Sequence, residues 1–185
     1  MGPYHAVVVH FPIALLTTAT LVIALRAFSD GALARSTDRA LVPLLALGVL
    51  SGAAAFAIGL MVWPLEAIFS SPLGRNHILA AAWTLAYWAL LLATRWIQGP
   101  AVWDGFTRWV MLGLAILGGL LLAITGALGG HLMGTPTAAS EGLRLLGWEI
   151  YTTYYVPDTT LALIAAAVLV LLALGWWGRR ARAAV

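Results

Sequence analysis

The chain contains no cysteine and no lysine, and only 9% of its 185 residues are charged. The missing cysteine excludes disulfides, iron–sulfur clusters, thiolate-ligated haem and the C-x-x-C-H attachment of c-type haem in one step, so any metal must be held by imidazole and oxygen. The scarcity of charge, set against a hydrophobic share of 62%, lies far from the soluble-domain norm and reads as an integral membrane protein. The net charge of +3 comes entirely from arginine and is spread over short loops and a tail. That distribution makes no case for a nucleic-acid partner.

What is present is a set of five apolar stretches, Val7 to Leu25, Ala40 to Val62, Ile78 to Thr94, Trp109 to Leu128 and Thr159 to Trp177, each near the ~20 residues that cross a bilayer. The expected fold is therefore all-α: one transmembrane helical bundle over residues 1–185, with no separate soluble domain. The first stretch has no positive residue before it and several after it, which marks an uncleaved span rather than a secretory signal. Ser29-Asp30-Gly31, Trp63-Pro64, Ser70 to Gly74 and Gln98-Gly99-Pro100 punctuate the connections. The longest connection runs from Gly134 to Asp158. Within it Leu143, Leu146 and Ile150 recur at near-helical spacing beside Trp148, so Ser140 to Tyr151 is expected to form a short helix on the membrane interface, covering the adjacent site.

Arginine sets the orientation. Arg26, Arg35, Arg39, Arg95, Arg108, Arg179, Arg180 and Arg182 fall on one side of the spans, and only Arg75 and Arg144 on the other. The arginine-rich side is expected to be cytoplasmic, with the N-terminus outside and the C-terminus inside the bacterial inner membrane. Tryptophans and tyrosines near both ends of the spans suit the two interfaces, with Trp83 and Trp88 deeper in the third.

In this threading all four histidines, His5, His10, His77 and His131, fall at the outer face, contributed by three spans. One histidine at a helix end is ordinarily a solvated or hydrogen-bonded residue, but ionisable groups in spans are costly and face the bundle interior, where cofactor and metal sites are assembled from several helices. His5 and His10, five residues apart, stand about 140° and ~7.5 Å from one another on a regular helix and would not share one metal. Pro12 removes a backbone donor and makes the 7–9 stretch a place for irregularity. Two imidazoles from different helices can approach opposite faces of a porphyrin, and four could serve two. His10 and His131 rank first as ligands and His77 next, with His5 last because chain ends fray. Arg75 and Arg144 stand as partners for haem propionates, and Glu66, Glu149 and Asp158 as acceptors for a ligand's second ring proton. Gly48, Gly52, Ala55 and Gly59 form one small-residue stripe and Gly126, Gly129 and Gly130 another. Each stripe admits either a neighbouring helix or a flat macrocycle.

The stretch His5 to Leu16, HAVVVHFPIALL, resembles the N-terminal His-Pro…His-Phe-Pro-Ile signature of the bacterial membrane-protein family called domain of unknown function 2231. Gly74-Arg75-Asn76-His77 and Thr125 to Gly130, TGALGG, are similar to that family's later landmarks. The resemblance covers the first four spans and implies fold and membrane location but little chemistry. The chain differs from the pattern in having Ala6 at the usual proline, and His131 where an acid is expected after the paired glycines.

Three functions compete. The leading expectation is a membrane-embedded b-type cytochrome, an electron-transfer subunit rather than a stand-alone enzyme. It would hold one or two bis-histidine haems near the periplasmic face and exchange electrons between the quinone pool and another membrane or periplasmic redox subunit, such as a c-type cytochrome. A second is an enzyme with a non-haem copper, zinc or iron site built from the same histidines and a carboxylate such as Glu66. A third is a structural or assembly subunit whose small-residue helices bind partner helices.

Overall fold

A computed structural model describes residues 2–135 and 137–147, with seven further positions between 162 and 173. In chain order its helices are α1 (Gly2–Val8), α2 (His10–Phe28), α3 (Ala32–Asp38), α4 (Leu41–Val62), α5 (Leu65–Ser70), α6 (Pro72–Gln98), a 3-10 segment (Gly99–Trp103), α7 (Thr107–Leu132) and α8 (Ala138–Leu145), with no strand among the described residues. Four stretches are long and apolar enough to cross a membrane: Tyr4–Phe28, Leu41–Val62, Pro72–Trp103 and Thr107–Leu132. The expected fifth span, 159–177, lies almost wholly outside the described residues. Ala162, Leu163, Ala165, Ala166, Leu169, Val170 and Ala173, which are described, are helical and exposed. Trp148, Glu149, Asp158, Arg179, Arg180 and Arg182 also lie outside.

The spans outrun their apolar windows, and the extra turns carry the histidines. The third does so most clearly. Ser71 caps α6, its Oγ accepting from the Gly74 N–H at 3.0 Å, and Pro72 occupies the first turn, where its missing N–H costs nothing. Arg75 and Asn76, expected in a loop, are thus helical, and His77 stands in the second turn of a 27-residue helix. At the N-terminus the regular helix is interrupted at Val9, which keeps helical angles (φ −62°, ψ −21°). Pro12, lacking an N–H, is the physical cause.

Around the bundle, α2 packs against α4 and α7, and α6 against the same two helices. The spans therefore form a four-cornered ring with α2 and α6 at opposite corners. Toward the arginine-rich end the ring is solid, filled by Leu16, Ala19, Val22, Ile23, Leu41, Leu45, Trp88, Leu91, Met111 and Ala115. Between α6 and α7 four side chains donate to backbone across the interface: Tyr87 to the Leu114 carbonyl (2.8 Å), Trp88 to Gly118 (3.2 Å), Thr84 to Leu121 (3.2 Å), and His77 to Thr125. In a medium without water such bonds fix register.

Two aspartates lock the arginine-rich end. Asp38 accepts from Arg95 Nη2 at 3.1 and 3.0 Å and from Trp103 Nε1 at 3.1 Å, tying α3 to the end of α6. Asp30 pairs with Arg26 and, at 3.1 Å, with Arg108 at the start of α7. These two guanidiniums, Arg26 first, hold the Asp30 carboxyl below its ordinary range. Several arginines that the topology rule counts as free positive charge are thus structural ties.

Candidate functional site

The opposite half of the ring is hollow. A cavity of 620 Å³ is lined by all four spans, within the ~300–1,000 Å³ of cofactor and ligand sites. It reaches from His5 down to Leu16 on the first span, about 16 Å at 1.5 Å per residue. Its wall is mostly apolar and unusually short of side chains, with Gly48, Gly52, Gly59, Gly74, Gly126, Gly129 and Gly130 all on it. The polar groups are three imidazoles, the Trp63 indole and the hydroxyls of Ser71, Thr84, Thr125 and Thr135.

His5 and His77 are set into this wall in the same manner. The His5 ring lies over Gly59, where a Cβ would come within 2.9 Å of Cε1, and hydrogen-bonds to the backbone of Ala55, one turn earlier on α4. His77 lies over Gly129, where a Cβ would come within 3.1 Å of Cε1, and bonds to Thr125, one turn earlier on α7. Each ring is thereby oriented by a helix carbonyl, and each keeps a buried Nδ1 with no hydrogen-bond partner. An unpaired buried nitrogen forfeits about 1–3 kcal/mol. Both rings also line the cavity. His5 also meets Trp63 edge-on, centroids 5.7 Å apart.

The other two histidines are placed differently. His10 borders the cavity but is exposed, and its Nδ1 bonds the Ala6 carbonyl of its own helical turn at 2.6 Å. His131 is buried on the face of α7 that carries Ala127 and Leu128, and is not among the lining residues. Of the four histidines, His5, His10 and His77 thus line the cavity and His131 does not. Arg75 is partly buried in the first turn of α6, and Arg144, on α8, is exposed and paired with Glu141 at 3.2 Å. Glu66 is exposed on α5. The lining ends at Thr135, so α8 contributes nothing to the wall. Among the described residues no group of three or more His, Cys, Asp or Glu side chains is placed to hold a metal ion.

Sequence reasoning passed over Thr84 and Thr125, whose hydroxyls meet at 2.7 Å beside the cavity. For Thr125 the available signal was its place one turn before Gly129 in an apolar helix. The glycine stripes divide their work. Gly48 admits Leu16 and Gly118 admits Trp88, whereas Gly59 and Gly129 admit imidazoles and Gly126 faces open space. Compared with known proteins, the chain matches no family model, no curated protein and no solved structure.

Proposed function

We propose that this chain is a b-type haem protein of the bacterial inner membrane that relays single electrons. The observation carrying the reading is the pair of half-buried imidazoles, His5 and His77, each with an unpartnered Nδ1, on the wall of a glycine-rich cavity among four apolar helices. The donor set fits the group: a porphyrin iron takes two neutral nitrogen ligands from the protein, needs an apolar enclosure, and needs walls without bulky side chains. Bound haem would supply reversible one-electron chemistry at the iron. The chain's own residues orient the imidazoles through the Ala55 and Thr125 backbones and exclude water with the packed half of the ring. With two protein ligands the iron would have no free position, which favours electron transfer over oxygen chemistry.

In this reading the protein has five spans, with the N-terminus and the cavity outside and the C-terminus in the cytoplasm, and its haem exchanges electrons between quinone and a periplasmic or membrane redox subunit. The motif residues of His5 to Leu16 and Gly74 to His77 support placing it near domain of unknown function family 2231. The non-haem alternative has no cluster of three ligands among the described residues behind it. Gly48 and Gly118 are spent on contacts within the chain, which weakens the partner-helix reading.

Visible spectra of the purified protein, oxidised and then reduced, test the proposal. One low-spin haem per chain is expected. A pure, folded protein that carries no haem and takes up no added haemin would overturn it.

A further inference from the structure

The two halves of the ring repeat one another. The buried positions Pro12, Leu16, Ala19 and Ile23 of α2 correspond, at a constant offset of seventy-two residues, to the buried Thr84, Trp88, Leu91 and Arg95 of α6. The buried Leu41, Leu45 and Gly48 of α4 correspond, at an offset of seventy, to the buried Met111, Ala115 and Gly118 of α7. The contacts repeat with the positions. Leu16 fills the space over Gly48 and Trp88 the space over Gly118, while His5 lies over Gly59 and His77 over Gly129 under the same two offsets. Neighbours repeat as well, since exchanging α2 with α6 and α4 with α7 leaves the ring of helix contacts unchanged. Both hairpins start at the histidine end, so the relation is a two-fold rotation about the bundle axis. Sequence retains traces of it in Leu47-Gly48-Val49-Leu50 and Leu117-Gly118-Gly119-Leu120.

We infer that the four spans are a duplicated helix hairpin, and that the cavity's ligand is held on the pseudo-two-fold axis by the equivalent imidazoles of His5 and His77. This rests on the haem reading for the ligand but not for the symmetry. The repeat separates the four histidines without reference to burial. His5 and His77 are counterparts, whereas His10 corresponds to Ala82 and His131 to Met61. A ligand centred on the axis meets the same group from both sides only through the first pair. His5 stands on α1, which leads into α2, and His77 on α6 at the opposite corner of the ring, so the two are equivalent under the same rotation.

Haemin titration of the full chain in detergent tests this, following the Soret band and the electron paramagnetic resonance spin state, with His5→Ala, His77→Ala, His10→Ala and His131→Ala compared. Wild type is expected to give a six-coordinate low-spin species. His5→Ala and His77→Ala should each give a five-coordinate high-spin species, bind haemin more weakly by about ten-fold or more, and regain the low-spin signal when free imidazole is added. His10→Ala and His131→Ala should match wild type. Rescue by imidazole shows that a variant is folded; a variant that is not rescued is replaced by His→Met, which should keep six ligands with a changed spectrum. Failure of wild type to bind haemin defeats the haem reading. Binding that is lost in His10→Ala or His131→Ala, or in only one of His5→Ala and His77→Ala, overturns the symmetric pair while leaving the haem reading standing.

Discussion

The imidazole of His77 occupies the space that a side chain on Gly129 would need: a Cβ there would lie 3.1 Å from His77 Cε1. The same relation holds between His5 and Gly59 at 2.9 Å. In each half of the bundle a glycine on one helix therefore decides where the histidine of the next can rest.

Glycine substitutions should rank by that geometry. Gly59→Ala forces the His5 ring to move, Gly129→Ala asks His77 for a few tenths of an ångström, and Gly126→Ala meets nothing within 4 Å. Haemin affinity is expected to fall more for Gly59→Ala than for Gly129→Ala through displacement of the rings, whereas Gly126→Ala leaves both rings in place and lowers affinity only by narrowing the cavity. An equal loss in all three would contradict the seating of the rings.

Gly118→Ala should cost about 1–3 kcal/mol of stability, the usual penalty for overpacking. Its Cβ would meet the rigid rings of Trp88 at 2.9 Å and Tyr87 at 3.1 Å. Gly113→Ala, with open space around it, serves as the matched control on the same helix. Thermal unfolding in detergent reads the difference.

Asp38→Ala leaves the Arg95 guanidinium without its carboxylate and Trp103 Nε1 without its acceptor. Both side chains of the ion pair are largely buried, at 8% and 14% exposure. Breaking such a pair costs on the order of 3–5 kcal/mol. Asp38→Asn should cost less, because the amide oxygen still accepts from Trp103. Unfolding curves for the two variants, with Arg95→Met/Asp38→Leu as a double replacement recovering part of the loss, check the assignment.

The Asp30 carboxyl is held below its ordinary value of 3.8 by Arg26 and Arg108. A depressed folded value means that the carboxylate contributes stability above the unfolded value, and that this contribution fades as pH falls from about 3.8 through the lower folded value. Asp30→Asn should therefore lower the melting temperature at neutral pH, with the gap from wild type closing only at the acid end. A gap that closes between pH 7 and 5 would assign the effect to another group.

Reporter fusions decide the orientation. A fusion after Gly31 or after Asp104 should be active only as a cytoplasmic reporter, since both follow the arginine-tied ends of spans. Periplasmic activity at either site would turn the bundle over and put the cavity on the inner side.

The membrane class and the four described spans were legible in the sequence because hydropathy is additive along a chain: a run such as Leu41–Val62 needs no partner to be recognised. The clustering of all four histidines at one end followed from the same threading. Helix limits were less legible. The cap at Ser71 pulled Arg75, Asn76 and His77 into α6, and that signal lies in a turn rather than in the apolar window. Which histidines share the cavity was decided only by the tertiary structure. The sequence order that ranked His10 above His5 measured distance from the chain end, whereas the fold turns on which ring finds a glycine on the neighbouring helix. His5 finds Gly59 and His77 finds Gly129, while His10 bonds its own turn and His131 buries itself on the Leu128 face of α7. The use of each glycine was equally a matter of helix rotation and crossing: Gly48 and Gly59 lie on one stripe, yet one receives Leu16 and the other an imidazole. Composition and run length alone determine that the chain forms helices long and apolar enough to cross a membrane. Only the packing of α2 and α6 against α4 and α7 decides which imidazoles rest on a neighbouring helix: His5 lies over Gly59 and His77 over Gly129.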